Sequence, residues 1–264
     1  MPLVLGVIPA RFASTRFPGK VLAPLAGRPM LEHVWRRAVR ARRIDRLVVA
    51  TEDARVVEAA ERFGGEALLT SDAHASGTDR VAEVVRRLDP QYDIVVNVQA
   101  DEPFLTPTSL DRLVAAFDHP LARPKLATLV EPLGTIDDLF DPNVVKVVAA
   151  EDGTALYFSR APVPYYRGGQ TTLRADFRAA LAGRPGGLAG YRRHQGLYAY
   201  TADALLALTG LPPSPLEIDE GLEQLRALAA GYSIRIVDSD FRSLAVDTPA
   251  DLERAARQWM EVNG

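Results

Sequence analysis

The chain contains no cysteine, which excludes disulfides, thiolate nucleophiles and Cys-ligated zinc. Lysine is almost missing as well: only Lys20, Lys125 and Lys146 occur among 31 basic residues. Arginine was evidently used wherever either cation serves, so each remaining lysine marks a position suited to a compact ammonium. There is no Gly-x-Gly-x-x-Gly fingerprint, which argues against a nicotinamide enzyme. No apolar stretch approaches the ~20 residues that span a bilayer, so no membrane insertion is expected. The start, Met1 to Ile8, lacks the basic opening of a signal peptide and reads as a strand. A net charge of −3 without a basic run argues against a nucleic-acid partner. A cytoplasmic location is expected. His33, His74 and His119 show no metal-ligand spacing.

What the chain does have is an alternation of strand and helix signals over its first 120 residues. Leu3 to Ile8 is a short apolar run suited to a buried parallel strand. Further strands are expected at Leu47 to Ala50, Ala67 to Leu69 and Ile94 to Val98. Helices are expected at Met30 to Arg43, at Asp53 to Phe63, at Thr78 to Leu88, and from Thr106-Pro107 onward. The pattern predicts βαβ units and an α/β fold around a mostly parallel open sheet, with helices on both faces. The second half reads differently. A hairpin with an Asp152-Gly153 turn joins Val144 to Ala149 with Ala155 to Ser159. Residues 167 to 190, rich in Gly and Arg, are expected to form a mobile loop or an oligomer arm. A strand at Tyr191 to Tyr200, one helix over Pro215 to Ala230, a strand at Ile234 to Val237 and a closing helix at Pro249 to Met260 complete the chain. The expectation is a single domain over 1–264 with a β-rich subregion at 144–200.

The loop Pro9-Ala10-Arg11-Phe12-Ala13-Ser14-Thr15-Arg16-Phe17-Pro18-Gly19-Lys20 comes directly after the first strand. In open α/β sheets ligands bind beyond the carboxyl ends of strands, so the loop stands where a ligand would. Three cations with a glycine and two hydroxyls suit a triphosphate, since Arg grips phosphate oxygens in pairs and Lys acts as a point charge. It is not a Walker loop: Ser14 stands where the first Gly would be, and Val21 comes after Lys20. Asp101 and Asp247 each read as ending a strand. Either could hold Mg²⁺ with substrate phosphates, or could merely cap a turn or a helix.

The loop resembles that of the 3-deoxy-manno-octulosonate cytidylyltransferases (CMP-KDO synthetases). The likeness continues through Ser76-Gly77-Thr78-Asp79-Arg80, Asn97-Val98-Gln99, Asp101-Glu102-Pro103, Asn143 to Val148 and Tyr157-Phe158-Ser159-Arg160. It extends to His194, Gly196 and Tyr198, to Ser214 to Glu217, to Glu223 to Arg226, and to Val246 to Pro249. The chain departs from the family pattern at Ala100, Gln195, Ala245 and Ile218-Asp219, mostly near the sugar or metal positions.

The resemblance implies a fold of the nucleotide-diphospho-sugar transferase type with a smaller β-rich dimerisation lobe, acting as a homodimer. It implies that CTP and a 3-deoxy-ulosonic acid give a CMP-sugar for lipopolysaccharide-type polysaccharide synthesis. Arg11, Lys20, Asp101 and Asp247 would be the catalytic residues, with Asp101 and Asp247 holding Mg²⁺. The nucleotide would lie against Ala10, Arg11, Ser14, Arg16, Lys20, Arg80 and Gln99. The sugar acid would lie against Arg160, His194, Tyr198, Glu217 and Gln224; Glu217, Glu220 and Gln224 share one face if a single helix carries them. Alternatives are a cytidylyltransferase for a sialic or amino-modified acid, an NTP-dependent sugar-phosphate nucleotidyltransferase, and a non-catalytic CTP sensor.

Overall fold

A computed structural model describes residues 2–14, 16–118, 124–167 and 174–263. Two compact units emerge: 1–123 with 197–210 and 240–264, and 124–196 with 211–239.

In the first unit, β1 (Val4–Pro9) is buried along its whole length, as its apolar run requires. A small antiparallel pair, β2 (Pro24–Leu25) and β3 (Arg28–Pro29), precedes α1 (Met30–Ala38). Then come β4 (Arg46–Thr51), α2 (Ala54–Arg62), β5 (Glu66–Leu69), α3 (Gly77–Arg87), β6 (Ile94–Asn97) and α4 (Pro107–Ala115). Strands β5, β4, β1 and β6 lie side by side and are all parallel. The ends of β1, β4 and β6 therefore share one edge of the sheet. α1 stops at Ala38, short of the expected Arg43. Beyond it the Asp111 carboxylate accepts the Arg43 N–H at 2.9 Å, and the Asp45 N–H donates to the Val4 carbonyl, turning the chain into β4.

In the second unit, β7 (Leu126–Pro132) and α5 (Ile136–Phe140) lead to the antiparallel hairpin of β8 (Lys146–Ala149) and β9 (Ala155–Ser159). The predicted turn is there, with Gly153 in the left-handed region at φ 82°. The stretch read as a loop over 167–190 instead contains α6 (Arg174–Ala182); residues 168–173 lie outside the described ones. The helix forms because Phe177 and Leu181 bury themselves with Leu133, Leu139, Phe140, Val144 and Tyr191. Strand β10 (Arg192–Thr201) begins in this unit, antiparallel to β8, and ends in the first, antiparallel to β6. α7 (Ala202–Leu208) belongs to the first unit.

The single helix expected over Pro215 to Ala230 is two: α8 (Pro215–Glu220) and α9 (Gln224–Ala229). Gly221, at φ 61°, caps α8 in the left-handed conformation and breaks the 3-and-4 spacing, so Glu217, Glu220 and Gln224 share no helix face. β11 (Ile234–Asp238) then pairs parallel with β7, and α10 (Pro249–Asn263) closes the chain in the first unit.

Candidate active site

The loop after β1 is tied at its neck. The Phe12 carbonyl accepts the N–H groups of Ser14 and Gly19, both at 2.9 Å. Gly19 has φ 72°, and a Cβ there would meet the Phe12 ring at 3.1 Å, so only glycine suits this corner. Arg55 lies over that ring, 3.7 Å from its centroid. Ala10 is buried, and its N–H is spent on the Ala50 carbonyl at 2.8 Å. Arg11 is exposed, with one N–H reaching Ala75 O at 3.5 Å.

Behind the loop stands Glu52, to which no sequence motif points. Its Oε1 accepts the Phe12 N–H at 2.8 Å, and its Oε2 meets the Arg80 guanidinium at 2.9 Å. Arg80 is wholly buried and also donates to Thr70 Oγ1 and to Ser71 O. It lies one turn beyond Ser76, whose hydroxyl caps α3 in a reciprocal box with Asp79. Arg80 and Glu52 thus form a buried strut under the loop. One signal could have found Glu52: it is the first residue past β4, at the same sheet edge as the loop. Gln99 lies at that edge too, half-buried beyond β6.

The decisive geometry concerns Lys20. Its Nζ donates to Asp101 Oδ2 at 2.7 Å and to Asp247 Oδ1 at 2.9 Å. Arg16 reaches the other Asp247 oxygen at 3.0 Å. Burial disfavours the ammonium, but the carboxylates of Asp101 and Asp247 outweigh it and hold its pKa above the ordinary lysine value. Two bonds place the carboxylates together. Val246 N–H donates to Asp101 O at 2.9 Å, and the Ser243 hydroxyl donates to the buried Glu102 carboxylate.

Asp247 does not end a strand, contrary to expectation, since β11 stops at Asp238 and residues 240–247 are irregular. Nor does Asp247 cap α10. Asp251 Oδ2 accepts from the N–H groups of Asp247 and Thr248, and the Thr248 hydroxyl accepts from Asp251 N. With the cap filled by Thr248 and Asp251, the Asp247 carboxylate is left to the cations.

The sugar-side candidates divide between the units. Tyr198, in the first, is buried and stacks on Tyr200 at 5.7 Å. The other four belong to the second. The Arg160 guanidinium donates to the carbonyls of Glu220, Pro142 and Gly221 at 2.6, 2.9 and 3.3 Å, and no carboxylate oxygen contacts it among the described residues. Burial pushes the His194 imidazole down to about 3, so it is neutral and serves as a hydrogen-bonding group, 2.9 Å from Thr128 Oγ1. Gln224 is buried, and its Nε2 has no partner among the described residues. Glu217 is committed elsewhere. It grips Arg226 bidentately at 2.5 and 2.8 Å and completes the α8 capping box, and the Arg226 bonds hold its carboxyl below the usual range.

A sequence model described as cytidylyltransferase matches residues 5–236. The chain belongs to the cytidylyltransferase family. Its relatives include a 3-deoxy-manno-octulosonate cytidylyltransferase of Geobacter metallireducens, 45% identical over 97% of both chains. Another relative of that name, from Syntrophotalea carbinolica, is 49% identical over 95% of this chain and 96% of its own. Among solved structures, a CMP:2-keto-3-deoxy-manno-octonic acid synthetase complexed with CTP superposes with a TM-score of 0.86 at 36% identity. That match covers 98% of this cytidylyltransferase-family chain and 99% of the other.

Proposed function

We propose that the chain is a Mg²⁺-dependent 3-deoxy-manno-octulosonate cytidylyltransferase, converting CTP and the sugar acid to a CMP-sugar and pyrophosphate. One observation carries the reading: Asp101 and Asp247 converge on a single cation at the mouth of an arginine-bearing loop. Two hard oxygen donors within 2.9 Å of one ammonium can also share a divalent ion, so the residues fit Mg²⁺. No cluster of three or more His, Asp or Glu among the described residues could enclose a metal. That suits Mg²⁺, which is held by one or two carboxylates together with substrate phosphates. Bound there, Mg²⁺ supplies neutralisation of phosphate charge.

The protein groups do the positioning on which phosphoryl chemistry depends. Arg11 and Arg16 offer exposed guanidinium groups to the triphosphate and the departing pyrophosphate, with Lys20 at the loop's end. The buried Glu52–Arg80 strut and the Phe12–Gly19 closure keep the loop in shape. Arg160, a cation without a carboxylate on it, fits the acid group of the sugar, and the buried Gln224 amide fits a hydroxyl. The anomeric oxygen bonds to the α-phosphorus, the bond from that phosphorus to the β-bridging oxygen breaks, and pyrophosphate leaves. The hydroxyl proton passes to solvent.

The enzyme works in the cytoplasm as a homodimer, supplying lipopolysaccharide-type polysaccharide synthesis. Exposed Leu156, Tyr165, Leu216 and Ile218 in the second unit support a covering partner copy, and no described helix is long and apolar enough to cross a membrane. Mass spectrometry of products from CTP, Mg²⁺ and a panel of ulosonic acids tests the activity. The CMP conjugate of 3-deoxy-manno-octulosonate is expected; CTP left intact with every acid would sink the reading. Sedimentation tests the dimer.

A further inference from the structure

Lys146 opens β8 and is fully buried, yet no carboxylate pairs with it among the described residues. Its three N–H bonds meet three main-chain carbonyls: Val144 O and Arg160 O at 2.6 Å, and Asp141 O at 2.9 Å. Burial pushes its pKa down to about 8; Asp141 and Glu220 pull it back up and Arg160 lowers it further. The residue across the strand pair, Arg193, is turned to Glu131. At neutral pH the ammonium is therefore mostly charged and uses every donor. A planar guanidinium could not aim three donors at acceptors converging on one nitrogen, which explains a lysine here in a chain that otherwise uses arginine.

The same turn is held a second time. Arg160, whose carbonyl Lys146 grips, sends its own guanidinium to Pro142 O, between two of the Lys146 acceptors in sequence. Its N–H donates to Glu220 Oε2 at 2.8 Å, and its Nε to Glu220 O. Lys146 thus ties residues 141–144 at both ends and Arg160 ties them between, and two of the five guanidinium N–H bonds are left over. Burying an unpaired charge is costly, and apolar packing would hold a turn more cheaply. We infer that Lys146 is a positioning residue: it fixes the Arg160 main chain to the 141–144 turn so that the guanidinium is held ready for the carboxylate of the sugar acid. This rests on the acid-binding role of Arg160 proposed above.

Steady-state kinetics of the full chain, varying CTP and 3-deoxy-manno-octulosonate separately, test it on Lys146→Met, Lys146→Gln, Arg160→Ala and the double variant Lys146→Met/Arg160→Ala. Lys146→Met should raise KM for the sugar acid roughly tenfold to a hundredfold, the scale of a small misplacement. KM for CTP should stay within about twofold, and Lys146→Gln, which keeps two donors, should fall between. In the Arg160→Ala background Lys146→Met should add less than about twofold, because the two act through one contact. Effects that multiply, both KM values rising together, or failure of both Lys146 variants to fold would overturn the positioning role. If Arg160→Ala leaves the sugar-acid KM unchanged, the acid-binding reading itself falls. If Arg160→Ala raises that KM and Lys146→Met does not, only the positioning role is lost.

Discussion

Replacing Lys20 with methionine removes the ammonium between Asp101 and Asp247 while keeping most of the side chain's bulk. A hydrogen bond to a charged group contributes about 1.5–3 kcal/mol. The Asp101 contact is well sheltered, whereas the Asp247 side chain is 36% exposed, so its contact is discounted for solvent screening. The net loss is about 2 kcal/mol, equivalent to roughly 4–8 °C in Tm for a chain of this size. The raised pKa of Lys20 fixes the pH at which to look. A lysine whose pKa rises on folding contributes in full below the unfolded value, and that contribution is lost as pH climbs past it into the strongly alkaline range. At pH 7–8 the whole effect is present. The assay is thermal unfolding of wild type and Lys20→Met in EDTA and again in excess Mg²⁺. The variant should melt lower in EDTA, and Mg²⁺ should raise its Tm more than that of wild type, because a second cation then reaches carboxylates that have lost the first. Equal melting in EDTA would show that the ammonium holds nothing together. Equal Mg²⁺ increments would show that the carboxylate pair is not where the metal binds.

Other outcomes are expected. Asp101→Asn should fold normally but lose turnover by roughly two to three powers of ten, the scale of one preorganised electrostatic group; near-normal kcat would remove Asp101 from the chemistry. Glu52→Gln should weaken CTP binding through the loop, read as a higher KM for CTP without an equal loss of sugar-acid affinity. Because His194 is held neutral, the unfolded chain takes up a proton there before the folded one does, so stability should decline as pH falls from about 6.5 toward 3. His194→Gln should flatten that slope in urea denaturation at pH 7 and 5. Ala26 sits at φ 46° between the strands β2 and β3. Ala26→Gly relieves the left-handed strain at some entropic cost, so Tm should stay level or rise by a few degrees, a net gain of up to about 1 kcal/mol.

The first unit was legible because its signals are local. An apolar run gives β1, a 3.6-residue period gives α1 to α4, and the cationic loop announces itself by standing next to a buried strand. Where the sequence misled, the deciding forces were long-range. Nothing in Arg174–Ala182 outweighs the surrounding glycines except the burial of Phe177 and Leu181 against α5, which appears only once that partner is in place. The single-helix reading over Pro215 to Ala230 passed across Gly221, which takes the left-handed conformation and ends α8. The family resemblance pairs Asp247 with Asp101, but the strand-end reading of Asp247 fails: the two are brought together by the Val246–Asp101 main-chain bond. Glu52 went unread because a lone acid after a strand looks like a solvated turn, and its strut with Arg80 exists only in three dimensions.

Asp101 and Asp247 stand 81 and 227 residues from Lys20 along the chain. A ribosome that has delivered the whole loop and the first carboxylate still holds a site with only half its acidic pair. Until the segment from Ser243 to Asp247 emerges and docks, a nascent chain can shape the arginine loop but cannot present a complete cation seat. Competence thus waits for Asp247, 227 residues after Lys20. A nick near residue 240 that released the C-terminal segment would silence the site while leaving the parallel strands in place.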